Sequence, residues 1–381
     1  MADLQSAAEE LAAAIDTLVS ADPSQLADGE AVVFLHRQLA RLEAATTRAA
    51  AAFDAGGTWG VDGARSAAAW IATRCHLPTA AARRRVRLGR EVRSMPEVEA
   101  AWATSDIAEA HVAMLARART PRRTEVFARD EEMLVGHART LRFGQFARAL
   151  AYWCYRADPD GCEDEAADDY KARRIHLSDA FRGTKVIDGQ FEPIGGAIFG
   201  SELERIEQEL FDADWVEAKA RVGEGVCAAD LRRTPAQRRH DALVEMARRS
   251  AAMPAGAGMP EPLFSVFVDY ETFSGMICEL ADGTFVTPGS LIRYLDKAWI
   301  ERVVFGPGSR VIDIGVRRRV FTGATRRAVQ LRDRECFHEF CEEPAEDCQV
   351  DHIEPYAAGG LTTEENGRPA CAFHNREREK P

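Results

Sequence analysis

Two close pairs of metal-binding side chains lie near the end of this chain. Cys336 and Cys341 are separated by four residues, Cys371 and His374 by two, and Cys371 comes 30 positions after Cys341. Two such pairs across a longer span are the spacing of a four-ligand structural zinc site. A zinc ion there would stabilise a small lobe with little core of its own. Cys348 and His338 are competing ligands. Cys348 lies in what reads as a strand, three residues before Asp351, and is expected as a buried thiol. His374 follows Cys371 by three residues and so falls on the same side of a helix start.

The rest of the chain is long enough for two or three domains, at 381 residues. Its 46% apolar and 29% charged residues match a soluble globular protein. No apolar run approaches the roughly 20 residues that span a bilayer. The opening MADLQSAAEELAAAIDTL is acidic and amphipathic, without the basic leader of a secretory signal. The expectation is a cytoplasmic protein with no membrane partner. There the nine cysteines are expected as free thiols or metal ligands. A net charge of −12 argues against a surface coated for nucleic acid, but the charge is uneven. Residues 158–169 hold seven acids and no base, and residues 316–334 hold seven arginines and one acid.

Residues 1–156 read as an all-helical domain. AVVFLHRQLARLEAATTRAAAAF repeats apolar residues at three- and four-residue spacing. Shorter helical patterns follow at about 64–74, 79–94, 106–118 and 141–153, between turn signals at Gly56-Gly57, Pro78, Pro96 and Pro121. SAAAWIATRCHLPTAAARRRVRLGREV reads as two helices joined by a turn, the second carrying Arg83, Arg84, Arg85, Arg87, Arg90 and Arg93. It is either a helix-turn-helix reader or a packed bundle with a solvated basic face. Nothing fixes a recognition helix, which favours the bundle.

ADPDGCEDEAADD, 157–169, reads as an acidic linker too polar to join a core. Residues 170–316 read as an α+β region. RRIHLSD and TKVIDGQFE are short strands around Gly183, with helices expected at 196–212 and 234–251. The second starts from Thr234-Pro235, an N-cap followed by proline at the first helical position. LFSVFVDYETF and RVIDIG, 310–315, are strand candidates. From 322 on, TGATRRAVQLRDRE reads as a helix feeding into the cysteine-rich tail.

CQVDHIEPYAAGG, then Glu365-Asn366, then CAFHN, resembles the HNH endonuclease motif, a ββα-metal fold. RTPAQRRHDALVEMARRS and FTGATRRAVQLRDREC are similar to an actinobacterial family that pairs the domain of unknown function 222, of the 13E12 repeat type, with a C-terminal HNH nuclease. The resemblance implies a mainly α N-terminal domain, an α+β middle region continuing the domain of unknown function, and a zinc-stabilised ββα-metal nuclease domain at 320–381.

It also implies an enzyme, a hydrolase that cuts DNA phosphodiester bonds. Such chemistry needs an activated water and a cation that offsets charge on phosphate and leaving oxygen. His352 matches the family's general base. Asp351 and Asn375 match the ligands of a catalytic Mg2+ or Mn2+, and Asn366 matches the asparagine that steadies the loop carrying His352. Cys336, Cys341, Cys371 and His374 would hold structural Zn2+. Asp351 and His352 are neighbours, so a departure from regular strand geometry is expected to let one face metal and the other water. DNA phosphate contact is expected from Arg317, Arg318, Arg319, Arg326 and Arg327. The bland alternative pairs these arginines with the acids at 339–347. The sequence departs from the family pattern at NGRPAC, where Gly367 and Ala370 replace apolar residues and Pro369 lacks a donor, so the second strand is expected to be short or irregular. A non-catalytic DNA-binding or scaffold protein with a degenerate HNH fold is the alternative reading.

Overall fold

The computed structural model describes residues 2–254, 263–269, 276–280, 284–292, 299–305, 321 and 323–378. The strand candidate RVIDIG and Arg317, Arg318 and Arg319 lie outside the described residues. The chain is mostly helical, with a few small sheets, and it forms two compact units, Met1–Asp158 and Pro159–Pro381. No helix among the described residues is long and apolar enough to cross a membrane.

The first unit is built from helices α1 (Ala2–Ser20), α2 (Gly29–Gly56), α3 (Ala67–Arg74), α4 (Thr79–Val92), α5 (Pro96–Ala103), α6 (Glu109–Ala118), α7 (Thr124–Thr140) and α8 (Phe143–Ala157). Asp28 caps α2, accepting the Glu30 N–H at 2.9 Å, and Gly57 ends it in the left-handed region. Pro96, expected as a turn, is instead the first residue of α5, where its missing N–H costs no helical bond. The core is a continuous group of buried side chains that includes Val98, Trp102, Val112, Leu115, Phe127, Leu134 and Phe146. Buried Glu131 accepts the Val98 N–H at 3.0 Å and so caps α5 from α7. Burial raises the pKa of its carboxyl, against the pull of the backbone donors.

The basic helix α4 is a packing element. Ala82, Val86, Leu88, Gly89 and Val92 are buried. Arg84 and Arg90, with Arg93 just after the helix, reach sideways to neighbouring helices. Arg90 binds both oxygens of Asp54 at 2.7 and 2.8 Å, which holds the Asp54 carboxyl below its usual pKa. Arg84 pairs with Glu109, and Arg93 donates to the Ala51 carbonyl. These contacts favour the bundle over a helix-turn-helix reader. Gly89 permits the approach of α4 to α2, because a Cβ there would lie 2.6 Å from the Thr47 carbonyl oxygen and 2.7 Å from the Ala51 Cβ. Gly89→Ala is expected to destabilise this unit by about 1–3 kcal/mol, read as a lowered midpoint in chemical denaturation.

The second unit corrects the acidic linker. Residues from Pro159 to Ala172 form helix α9, with Cys162 buried. Glu163 Oε2 accepts the Thr287 hydroxyl at 2.7 Å, and its Oε1 accepts the Gly289 N–H at 3.0 Å. A charge run that reads as solvated therefore includes a carboxylate with a distant hydrogen-bonding role. After it come β1 (Arg174–Asp179) and β2 (Lys185–Gln190), an antiparallel hairpin turning through Arg182 and Gly183, both with positive φ. Helices α10 (Pro193–Val222) and α11 (Pro235–Ala252) pack together. Thr234 caps α11 as expected. Buried Asp214 on α10 accepts from Arg233 Nε and Nη2 at 2.7–3.1 Å.

A four-stranded sheet then runs in the order β5 (Phe285–Val286), β4 (Met276–Glu279), β3 (Leu263–Asp269), β6 (Trp299–Phe305). Only β3 and β6 are parallel. Short helix α12 (Pro288–Ile292) packs near it, and burial pushes the Cys278 thiol up to about 11. The chain continues through α13 (Gly323–Asp333) into a lobe made of β7 (Gln349–His352), β8 (Gly367–Ala370) and α14 (Ala372–Arg378). Arg334 pairs with buried Glu279 on β4 and so ties the lobe to the sheet.

Candidate metal centre and active site

The two ligand pairs meet. One donor atom from each of Cys336, Cys341, Cys371 and His374 lies within 4.8 Å of all the others. His374 Nδ1 is 3.2 Å from Cys371 Sγ and 3.4 Å from Cys336 Sγ, and the Cys341 and Cys371 sulfurs are 3.9 Å apart. A tetrahedral zinc ion with sulfur ligands about 2.3 Å away needs sulfur–sulfur edges of about 3.8 Å. The donor set fits, and these four side chains can hold a metal ion such as zinc. All nine cysteines are free thiols.

The competing ligands have other employment. Cys348 is buried beside the cluster with its Sγ toward the Glu343 carbonyl, and burial pushes its thiol well up. His338 stacks flat on His374, ring centres 3.9 Å apart, and its Nδ1 accepts the Phe340 N–H. Burial opposes a thiolate at Cys336. N–H donors from Cys371 and His338, with the neighbouring thiols, outweigh it and lower the pKa. Cys341 moves the other way, pushed up to about 11 by burial. The cluster thus favours one thiolate first, and a cation is what would let the remaining sulfurs ionise together.

Beside it, β7 and β8 pair antiparallel over their full length, from Gln349↔Ala370 to His352↔Gly367. Within NGRPAC, Gly367–Ala370 thus form a second strand that is short, as expected, but regular in its pairing, which corrects the expected irregularity. The Pro369 carbonyl points outward to accept the Phe337 N–H at 2.8 Å. In an antiparallel strand a residue's N–H and C=O point the same way, so the missing donor of Pro369 also faces away from β7. Gly367 has its own reason. A Cβ there would lie 2.7 Å from Val329 Cγ2 and 2.8 Å from the Phe321 ring.

Nor does the backbone depart from strand geometry at Asp351 and His352, as the register shows. It is the Asp351 carboxylate that turns, its Oδ1 accepting the His352 N–H at 2.8 Å. His352 itself is buried. Its ring sits 4.6 Å from that of Phe321, and its Nε2 shares a hydrogen bond with the Thr362 hydroxyl at 2.9 Å. Asn366 closes the intervening loop. Its Oδ1 accepts the Glu354 N–H at 2.8 Å, and its Nδ2 donates to the Glu354 and Leu361 carbonyls at 3.1 and 2.8 Å. Gly360 is needed where the loop crosses the Glu354 carbonyl, since any Cβ would collide with it. Asn375 on α14 donates to Gln349 Oε1 at 2.7 Å. Gln349 and Asp351 project from the same face of β7, so Asn375 is docked on the Asp351 side.

The described arginines serve the lobe's own fold. Arg327 pairs with Glu346 at 2.7 Å, and Arg326 donates to the Cys348 carbonyl at 3.2 Å. Thr362, Phe321, Gln349 and Arg368 were not legible as site residues. Gln349 and Arg368 are defined by the register of β7 and β8, Thr362 by the loop between them and Phe321 by its place just before α13, and none carries a motif.

The family model for the Domain of unknown function (DUF222) matches residues 30–333. The chain belongs to this family. The match ends just before Cys336, so the metal cluster and the β7–β8–α14 lobe lie beyond it. No curated protein and no solved structure matches the chain.

Two outcomes are expected. Full-length protein contains about one zinc per chain by elemental analysis, and Cys371→Ser loses it with loss of the lobe's structure. Gly367→Ala retains zinc but lowers stability by about 1–3 kcal/mol, measured by denaturation.

Proposed function

We propose that the C-terminal lobe is a metal-dependent HNH-type endonuclease that hydrolyses DNA phosphodiester bonds. The observation that carries this reading is the docking of Asn375 on the Asp351 face of β7, beside a loop closed by Asn366. Asp351 and Asn375 offer hard oxygen donors from a strand and an adjoining helix. Such donors suit Mg2+ or Mn2+, which keep open positions for phosphate and water. The cation would supply charge to offset that on the phosphate and the departing 3′ oxygen. His352 acts as general base, the role an imidazole fills by accepting a proton from the attacking water. The Phe321 ring and the Thr362 hydroxyl fix the orientation of its ring. Asn366 works at a distance, holding the loop that follows His352. Structural zinc would keep α14, and with it Asn375, against the hairpin. Phosphate contacts through the arginines at 317–319 complete the reading.

A second reading is a non-catalytic DNA-binding or scaffold lobe. The burial of His352 and the internal engagement of Arg326 and Arg327 favour it.

Purified protein is expected to nick or linearise plasmid with Mg2+ or Mn2+, and chelator to stop it. His352→Ala should lower the rate by about 10²–10⁴-fold. Cleavage by His352→Ala at the wild-type rate removes the base assignment, and DNA binding without cutting across several metals selects the second reading.

A further inference from the structure

We infer that Arg368 grips the phosphate that the proposed nuclease cuts, an assignment that rests on that reading. Arg368 stands directly opposite Asp351 in the β7–β8 register, so both side chains project from one face of the hairpin. Arg368 Nη2 is 4.0 Å from Asp351 Oδ2, too far for a hydrogen bond. The two groups are ion-pair neighbours, and a quarter of each side chain is exposed.

The guanidinium is held from beneath. Its carbon lies 3.8 Å from the centre of the Phe337 ring. An aromatic face fixes the plane of the cation while leaving its edge N–H groups to point elsewhere. Phe337 follows Cys336 directly, and its own N–H is anchored on the Pro369 carbonyl. The metal cluster therefore positions the ring, and the ring positions the arginine beside Asp351.

That placement suits one ligand chemistry. A carboxylate alone repels phosphate. A guanidinium beside it presents parallel N–H donors to two phosphate oxygens. Donors preset where negative charge grows lower the barrier to phosphoryl chemistry. Arg368 would thus bind the substrate phosphate beside the carboxylate of Asp351, which would hold the cation.

The test measures a fluorescein-labelled DNA duplex by anisotropy over a salt series, in full-length protein carrying His352→Ala so that the duplex stays whole. Adding Arg368→Ala is expected to weaken binding about tenfold and to make log affinity against log salt shallower by about one unit, the signature of one lost phosphate contact. In protein that keeps His352, Arg368→Lys is expected to cut plasmid at least about tenfold more slowly, because lysine keeps the charge and loses the fork. Zinc content shows whether each variant keeps its lobe. An unchanged salt slope in zinc-retaining Arg368→Ala overturns the assignment. Should Arg368→Ala lose zinc, Arg368→Lys decides, and wild-type cleavage by it overturns the assignment. Wild-type protein that cuts plasmid while the slope stays unchanged removes Arg368 alone. Wild-type protein that neither cuts nor binds removes the nuclease reading with it.

Discussion

In the C-terminal lobe four donor atoms converge, beside an α13 that buries Ala328, Val329 and Leu331. The buried side chains around the cluster are largely the cysteines themselves. Where Cys336 meets Cys371, the Cys371 N–H points at Cys336 Sγ at 3.4 Å. That contact sets Phe337 against Pro369 and places the start of α14 at the end of β8. From there Asn375 can reach Gln349 and Arg368 can rest on Phe337. Without the convergence, two four-residue strands and a seven-residue helix would have too little buried surface to persist.

The first unit is held by different means. Its helices close through small residues, Ala44, Ala51 and Gly89, and through largely exposed arginines whose ends bridge to neighbouring helices. Arg90 on Asp54 is a charge-assisted, bidentate contact, the stronger kind. Because the arginine-rich α4 helps to build this packing, its charge is weak evidence for a nucleic-acid partner. Family membership over 30–333 carries no chemistry either. The groups with metal-binding chemistry stand on the lobe that follows.

Several elements could be read in advance because their signals are local. The start of α11 follows from Thr234 and Pro235, and the hairpin of β1 and β2 from alternation around Gly183. The ligand pairs follow from spacing. Two failures share one cause, that a local signal was outvoted by a distant partner. The acid run 158–169 looks solvated until Glu163 meets Thr287 and Gly289 across more than a hundred residues. Pro369 looks like a strand breaker until its carbonyl turns outward to Phe337. Pro96 looks like a turn but begins a helix.

For the site, the sequence by itself determined the inventory: two thiol and imidazole pairs, an acid beside a histidine, two asparagines in order, and a run of arginines. Side-chain chemistry and spacing belong to the chain alone. Only the tertiary structure decided how these groups are used. It buried His352 against Phe321, gave Thr362 to its Nε2, engaged Arg326 and Arg327 inside the lobe, and set Arg368 across from Asp351. Hydrogen bonds and ion pairs form over a few ångströms of space, whatever the distance along the chain. Strand register and loop closure bring those groups within reach, and no short motif encodes them.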